Sequence, residues 1–185
     1  MKGKIFNAQE VQGMISGNKT QFREVVKNQP PLDFVCDMKP SLHCANNRFF
    51  LTGQSHDWWF EECPYQIGQK IFCKESFREG AFCKHHFKAD DKERKWGIGS
   101  VTKNFLPAQH MKQEHSRLTL QIKQIRVERL ADISEEDAIA EGINPNTTTN
   151  INNYFRNLWN CTHKKPEEMF GANPWVFVYQ FEVVK

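Results

Sequence analysis

No Cys-x-x-Cys pair occurs in this chain, although it contains six cysteines: Cys36, Cys44, Cys63, Cys73, Cys83 and Cys161. Without that spacing neither a zinc ribbon nor a thioredoxin-like redox site is indicated. Several of the cysteines fall in strand-like stretches, where a free thiol acts as a small hydrophobe. A reducing, cytoplasmic setting is therefore expected. No run reaches the roughly 18 apolar residues of a membrane helix, and no charged-then-apolar leader opens the chain. Strong charge of one sign is lacking too. Lys+Arg number 25 and Asp+Glu 22, for a net charge of +3, which permits a nucleic-acid partner without demanding one. No motif asks for a cofactor.

What is present suits a single domain. The 185 residues include 15 Phe and 5 Trp, enough to build a core, while a charged fraction of 25% keeps the surface polar. Lys4 to Phe6 reads as a short first strand. Asn7 and Glu10 form a capping box for a helix from Ala8, with Val11, Met14 and Ile15 on one face and Gly17 as its stop. Gln21 to Lys27 is expected to be extended. Residues 28–66 read as an insertion containing a hairpin, residues 48–52 against 57–61. A strand follows around Ile71 to Cys73. Residues 79–104, rich in Lys, His and Asp, read as a second, exposed insertion whose basic side chains could touch phosphates.

The longest strand pattern runs from Ser116 to Leu130. Leu118, Leu120 and Ile122 alternate, and then Ile125 and Val127 continue one residue out of phase, which predicts a β-bulge. Ser134, with Asp137 three residues on, caps a helix that Gly142 ends. Ile151, Tyr154, Phe155, Leu158 and Trp159 follow helical spacing. Trp175, Phe177, Tyr179, Phe181 and Val183 alternate along a closing strand. Strands at both ends, helices between and a bulged long strand predict an α+β fold built on a small mixed barrel.

Three segments carry the chemistry. The first is Gly17-Asn18-Lys19-Thr20-Gln21-Phe22-Arg23. The second is Cys63-Pro64-Tyr65 leading to Gly68-Gln69-Lys70-Ile71-Phe72-Cys73-Lys74-Glu75. The third is Ile133 to Gly142, containing Glu141. Gly-x-Lys alone describes a helix C-cap and a solvated lysine equally well. A lysine packed at such a turn can instead lose hydration and become useful for chemistry or anion binding. Taken in order, and with His110-Met111, Ser116-Arg117-Leu118 and Asn173-Pro174-Trp175-Val176, these segments resemble the phage and prophage branch of the ASCH family, of the PUA-like superfold.

The resemblance implies a PUA-like barrel with flanking helices, in a bacterial or phage-infected cell. It also implies a cleft holding RNA or a modified nucleoside between barrel and helices. One branch of the family hydrolyses an N4-acylated cytidine, and by motif its lysine is Lys19 and its glutamate Glu141. The family's usual Lys-Thr-x-Thr string has its second threonine three residues after the lysine. Here that position is Phe22, which has no hydroxyl. Thr20 lies nearby, but adjacent residues of an extended chain point to opposite sides.

Three readings follow. In a binder, Lys19 takes a phosphate or base carbonyl, Glu141 accepts from an exocyclic amine, and Phe22 or a nearby tryptophan stacks on the ring. In an amidohydrolase, Lys19 acts as a base or activates Thr20 or a water, and Glu141 orients the lysine or shuttles a proton. In a partner-binding phage protein there is no small ligand. Arg23 is expected to pair with Glu75 or Glu141, to bind phosphate or to lie on the surface. Glu75 is expected either in the same cleft or in solvent. Cys83, His85, His86, His43 and Cys44 match no standard metal spacing, so no metal site is expected.

Overall fold

The computed structural model describes residues 1–31, 34, 40–43, 48–54, 56–79, 85–90 and 105–184. Besides short 3-10 turns, ten strands and three α-helices are defined there. They are β1 (Lys2–Ile5), α1 (Ala8–Ile15), β2 (Gln21–Val25), β3 (Ser41–His43), β4 (Arg48–Leu51), β5 (Trp58–Glu62), β6 (Lys70–Lys74), β7 (Phe77–Glu79), β8 (His85–Phe87), β9 (Thr119–Arg129), α2 (Glu135–Ala140), α3 (Ile151–Thr162) and β10 (Trp175–Val183).

The period-2 pattern of β10 accounts for the centre of the molecule. Both of its faces are buried. Trp175, Phe177, Tyr179 and Phe181 point into an aromatic core shared with Phe6, Phe22, Ile71, Leu120, Ile122 and Val127. Val176 and Val178 point the other way, to a second core with Ala138, Ile143, Phe155 and Trp159 beneath α2 and α3. A strand covered on both sides belongs in the middle of a layered fold. β10 indeed lies inside a five-stranded sheet of order β1-β6-β9-β10-β2, in which the β1–β6 pair alone is parallel.

The phase slip in β9 appears as the expected bulge. Gln180 of β10 faces Gln124 while Phe181 faces Ile122, so Lys123 is the extra residue. The predicted hairpin is also present, β4 pairing antiparallel with β5 in a separate three-stranded sheet with β3. Asn7 and Glu10 close their capping box on α1, and Gly17 takes φ +76° at its end, where a side chain would be strained. α3 follows its predicted stripe, with Phe155 and Trp159 buried.

The barrel expected from the sequence is not closed. Among the described residues no ladder joins the edge strands β1 and β2. The sheet curls until the two edges meet through side chains instead. Lys4 pairs with Glu24, and the Phe6 and Phe22 rings lie edge to face at 5.7 Å. Rings filling the seam keep the backbones from hydrogen bonding across it. Most of residues 79–104 lies outside the described residues, as do Cys36, Cys44 and Cys83. No helix among those described is long and apolar enough to cross a membrane.

Candidate functional site

Two short chain segments meet behind the β2 edge. Lys19, Gln21 and Arg23 alternate along extended chain, so their side chains share one face. Asp137, in the first turn of α2, and Glu141, its C-cap, stand four residues apart, so theirs share another. The backbone clamps the two rows together. Thr20 N–H donates to Ala140 O at 2.8 Å, and Lys19 and Glu141 form an isolated antiparallel bridge.

Lys19 is buried and brought to Glu141 across 122 positions of sequence. Its Nζ donates to the Glu141 carbonyl at 2.9 Å and to Glu141 Oε2 at 3.0 Å, with Glu10 Oε1 at 3.5 Å. Two glycines leave room for its stem. A Cβ on Gly13 would stand 3.1 Å from Lys19 Cβ, and one on Gly142, at φ +101°, would stand 3.3 Å from it.

Of its two expected carboxylate partners, Arg23 pairs with Glu141 and not with Glu75. Its Nη1 donates to Glu141 Oε1 at 2.7 Å, and Nη2 to Glu128 Oε1 at 2.8 Å and Asp137 Oδ2 at 3.3 Å. Gln21 Nε2 donates to Asp137 Oδ1 at 2.8 Å. Arg126 bonds Glu128 Oε2 at 2.9 Å and also reaches Asp137 Oδ2.

Three cations thus interleave with four carboxylates, and the carboxylates respond. Burial pushes Glu141 up, but the charges of Lys19 and Arg23 and hydrogen bonds from both more than offset this, leaving its carboxyl below the usual value. Asp137 is likewise lowered. Burial opposes the shift, while the Gln21 hydrogen bond and the Arg126 and Arg23 charges drive it. Inside the network Arg23 Nε and Gln21 Oε1 are buried without a hydrogen-bond partner.

Four members of this network, Glu10, Lys19, Arg23 and Glu141, line a cleft of about 620 Å³. Its sides are β1 at Lys4 and Ile5, β2 from Phe22 to Val25, the start of α1 at Glu10, and α3 at Phe155 and Trp159. The Trp159 ring has His163 stacked on it at 3.8 Å, with planes 8° apart. That volume lies within the usual range for small-ligand sites.

The remaining sequence candidates divide. Phe22, 2% exposed, borders the cleft but sits in the aromatic core, stacked on Tyr179 at 4.8 Å with Lys4 Nζ 4.7 Å from its ring centre. Thr20 is exposed, on the side of the chain opposite Lys19. Glu75 is buried, but pairs with Arg117 at 2.8 and 3.0 Å rather than with Arg23, and it does not line the cleft. Among the described residues no group of three His, Cys, Asp or Glu side chains converges as a metal site would. Buried Cys63 and Cys73 are both pushed up to about 12, chiefly by burial, which makes them unreactive.

Gln21, Asp137, Arg126, Glu128 and Glu10 were not singled out from sequence for this site. The four-residue spacing of Asp137 and Glu141, opposite the two-residue spacing of Lys19, Gln21 and Arg23, was the available signal.

No family model matches the chain, and no curated protein matches it. Among solved structures, a crystal structure of an Enterococcus faecalis V583 protein, described with the family model DUF984, is similar with a TM-score of 0.46. It shares 13% identity over the whole of this chain and 81% of its own.

Proposed function

We propose that this chain is an ASCH-type, PUA-like domain that binds a modified nucleoside or an unpaired RNA base in the Lys19–Glu141 cleft. The observation that carries the reading is the meeting of Lys19, Arg23 and Glu141 at the floor of a cleft walled by Phe155 and Trp159. Cations and carboxylates nearly balance around it: Lys4, Lys19, Arg23, Lys27 and Lys165 against Glu10, Glu24, Glu141 and Glu168. A balanced lining favours a neutral ring with donors and acceptors over a bare polyanion. Aromatic walls supply stacking worth about 1–3 kcal/mol per base. The tryptophan at the cleft is Trp159, whose ring already carries His163 stacked at 3.8 Å, and Phe22 belongs to the core behind the cleft.

Lys19 has a specific part in this reading. An ammonium has three donors, and two are held by Glu141. The third faces Glu10 at 3.5 Å, a contact that a ligand carbonyl can replace. The curled, bulged sheet supports the PUA-like assignment. The amidohydrolase reading has less behind it, because Phe22 stands where its hydroxyl would be and Thr20 faces away.

Incubating the purified chain with plain and N4-acylated nucleosides, while following melting temperature and acyl release together, tests this. Stabilisation without release, abolished by Lys19→Met, is the expected result. Release of the acyl group selects the hydrolase. Neither effect leaves a partner-binding protein.

A further inference from the structure

Among the described residues the sheet is open at two edges, β1 and β2, and both border the cleft. In β2, the bonds Val26 N–H to Trp175 O at 3.0 Å and Phe181 N–H to Thr20 O at 2.9 Å set the parity of the ladder with β10. Residues 22 and 24 therefore turn their main-chain groups toward β10, and those of Arg23 and Val25 turn outward. In β1, Phe6 N–H donates to Lys74 O at 2.9 Å, so Ile5 turns its own groups out from the other side. Among the described residues no hydrogen bond engages the outward groups of Arg23 and Val25, and both residues line the cleft.

An outward N–H and C=O side by side on an edge strand make a donor–acceptor pair. The Watson–Crick edge of each nucleobase carries an adjacent donor and acceptor that can meet it, and splayed-out bases are commonly read on that edge. We propose that the main chain of β2 at Arg23 and Val25 reads the Watson–Crick edge of a base seated in the cleft. This rests on the nucleoside-binding reading above and adds which atoms select the base.

An extended peptide is the competing occupant, since it could add a strand to either edge. Inserted between β1 and β2 it would need about 4.8 Å of separation on each side. The seam is already crossed by the Lys4–Glu24 pair and by the Phe6 and Phe22 rings at 5.7 Å. A planar ring needs one edge only, so it does not require those side chains to part, and the cleft of about 620 Å³ has the volume for it.

The test titrates the full chain with adenosine, cytidine, guanosine and uridine. Whichever binds is compared with its edge-blocked form: 1-methyladenosine, 3-methylcytidine, 1-methylguanosine or 3-methyluridine. The methylated form should bind at least about tenfold more weakly, as expected when buried donors and acceptors are left unpaired. Val25→Pro deletes an outward N–H from an edge strand without touching the β10 ladder, a placement that strands tolerate. It should melt cooperatively and show a similar loss of affinity.

Equal affinity for the methylated form overturns the main-chain reading and leaves nucleoside binding standing, as does a folded Val25→Pro that binds unchanged. Should Val25→Pro fail to fold, the methylated nucleosides decide alone. If none of the four binds but an N4-acylated nucleoside does, the main-chain reading falls and nucleoside binding stands; if no nucleoside binds, or only a strand-forming peptide stabilises the chain, both readings fall.

Discussion

The two faces of β2 are buried to nearly the same degree and held in opposite ways. Phe22, 2% exposed, packs among Phe6, Tyr65, Tyr179 and Phe181. Arg23, 6% exposed, is held by three carboxylates. Aromatic burial is non-directional and scales with area, so it degrades in proportion to what is removed. A buried ion network depends on matching, and removing one partner strands the others. Burial alone therefore does not say what a residue contributes. One five-residue strand separates an aromatic core from a cleft floor in which each charge answers for its neighbours.

The sharpest way to break this comparison is at Glu141. Glu141→Ala leaves Lys19 and Arg23 without their shared partner. We expect a loss at the upper end of the roughly 3–5 kcal/mol seen when buried pairs are broken. Denaturant unfolding measures it. Lys19→Ala combined with Glu141→Ala should cost less than the two singles added, because the second change removes a charge already stranded. A loss below about 1 kcal/mol for Glu141→Ala would mean the network is not what holds this face.

On the other face Phe22→Ala should cost about 3–4 kcal/mol, and Phe22→Thr nearly as much, as large-to-small core changes do. Nucleoside affinity of the folded protein should stay unchanged in both. If stability holds while affinity drops by about the 1–3 kcal/mol of one lost base stack, the ring faces the ligand and the division between the faces is wrong.

The fold was legible wherever one period ran long enough. The β10 alternation, the α3 stripe, the Asn7–Glu10 box and the bulge at Lys123 all follow from spacing. Closure of the barrel was not legible, because it depends on a few ångströms between strand edges, set by rings from distant positions such as Phe6 and Phe22. Lys19 and Glu141 could be paired through motifs. Arg126 and Glu128 could not, because a strand face covered by a charged helix end looks in sequence like one facing water. Asp137 read as a cap residue. Its N–H does bond Ser134 Oγ at 3.1 Å, while its carboxylate serves Gln21, Arg23 and Arg126. Glu75 and Arg117 lie 42 positions apart with no pattern connecting them.

The charged face should also respond to acid. Glu141 and Asp137 are held below their usual values of 4.5 and 3.8 in the folded chain. Groups lowered on folding stabilise the protein above their unfolded pKa and lose that contribution as pH falls through the folded value. The melting temperature should therefore fall as pH drops below about 4.5. In a Glu141→Gln, Asp137→Asn variant the neutral-pH melting temperature should be lower and the acid limb shallower by several degrees. Parallel acid limbs would show that these two carboxylates do not couple folding to pH.

The smallest expected effect lies in the aromatic face and has the opposite sign. The Tyr179 hydroxyl is fully buried without a hydrogen-bond partner, in a ring stacked on Phe22 at 4.8 Å. Burial, followed by the nearby Glu24 carboxylate, pushes this phenol well above its ordinary range, so it does not ionise usefully. A hydroxyl desolvated without return costs about 1–3 kcal/mol. Tyr179→Phe removes that cost and leaves only a hydroxyl-sized gap, which takes back part of the gain. The net expectation is a melting temperature higher by about 1–3 °C, since 1 kcal/mol shifts a domain of this size by about 2–4 °C. Arg23 Nε is equally without a partner, yet Arg23→Met should be strongly destabilising, because it strands Glu141, Glu128 and Asp137 together. If Tyr179→Phe instead lowers the melting temperature, the hydroxyl is satisfied in solution, and the aromatic face too depends on a specific polar contact.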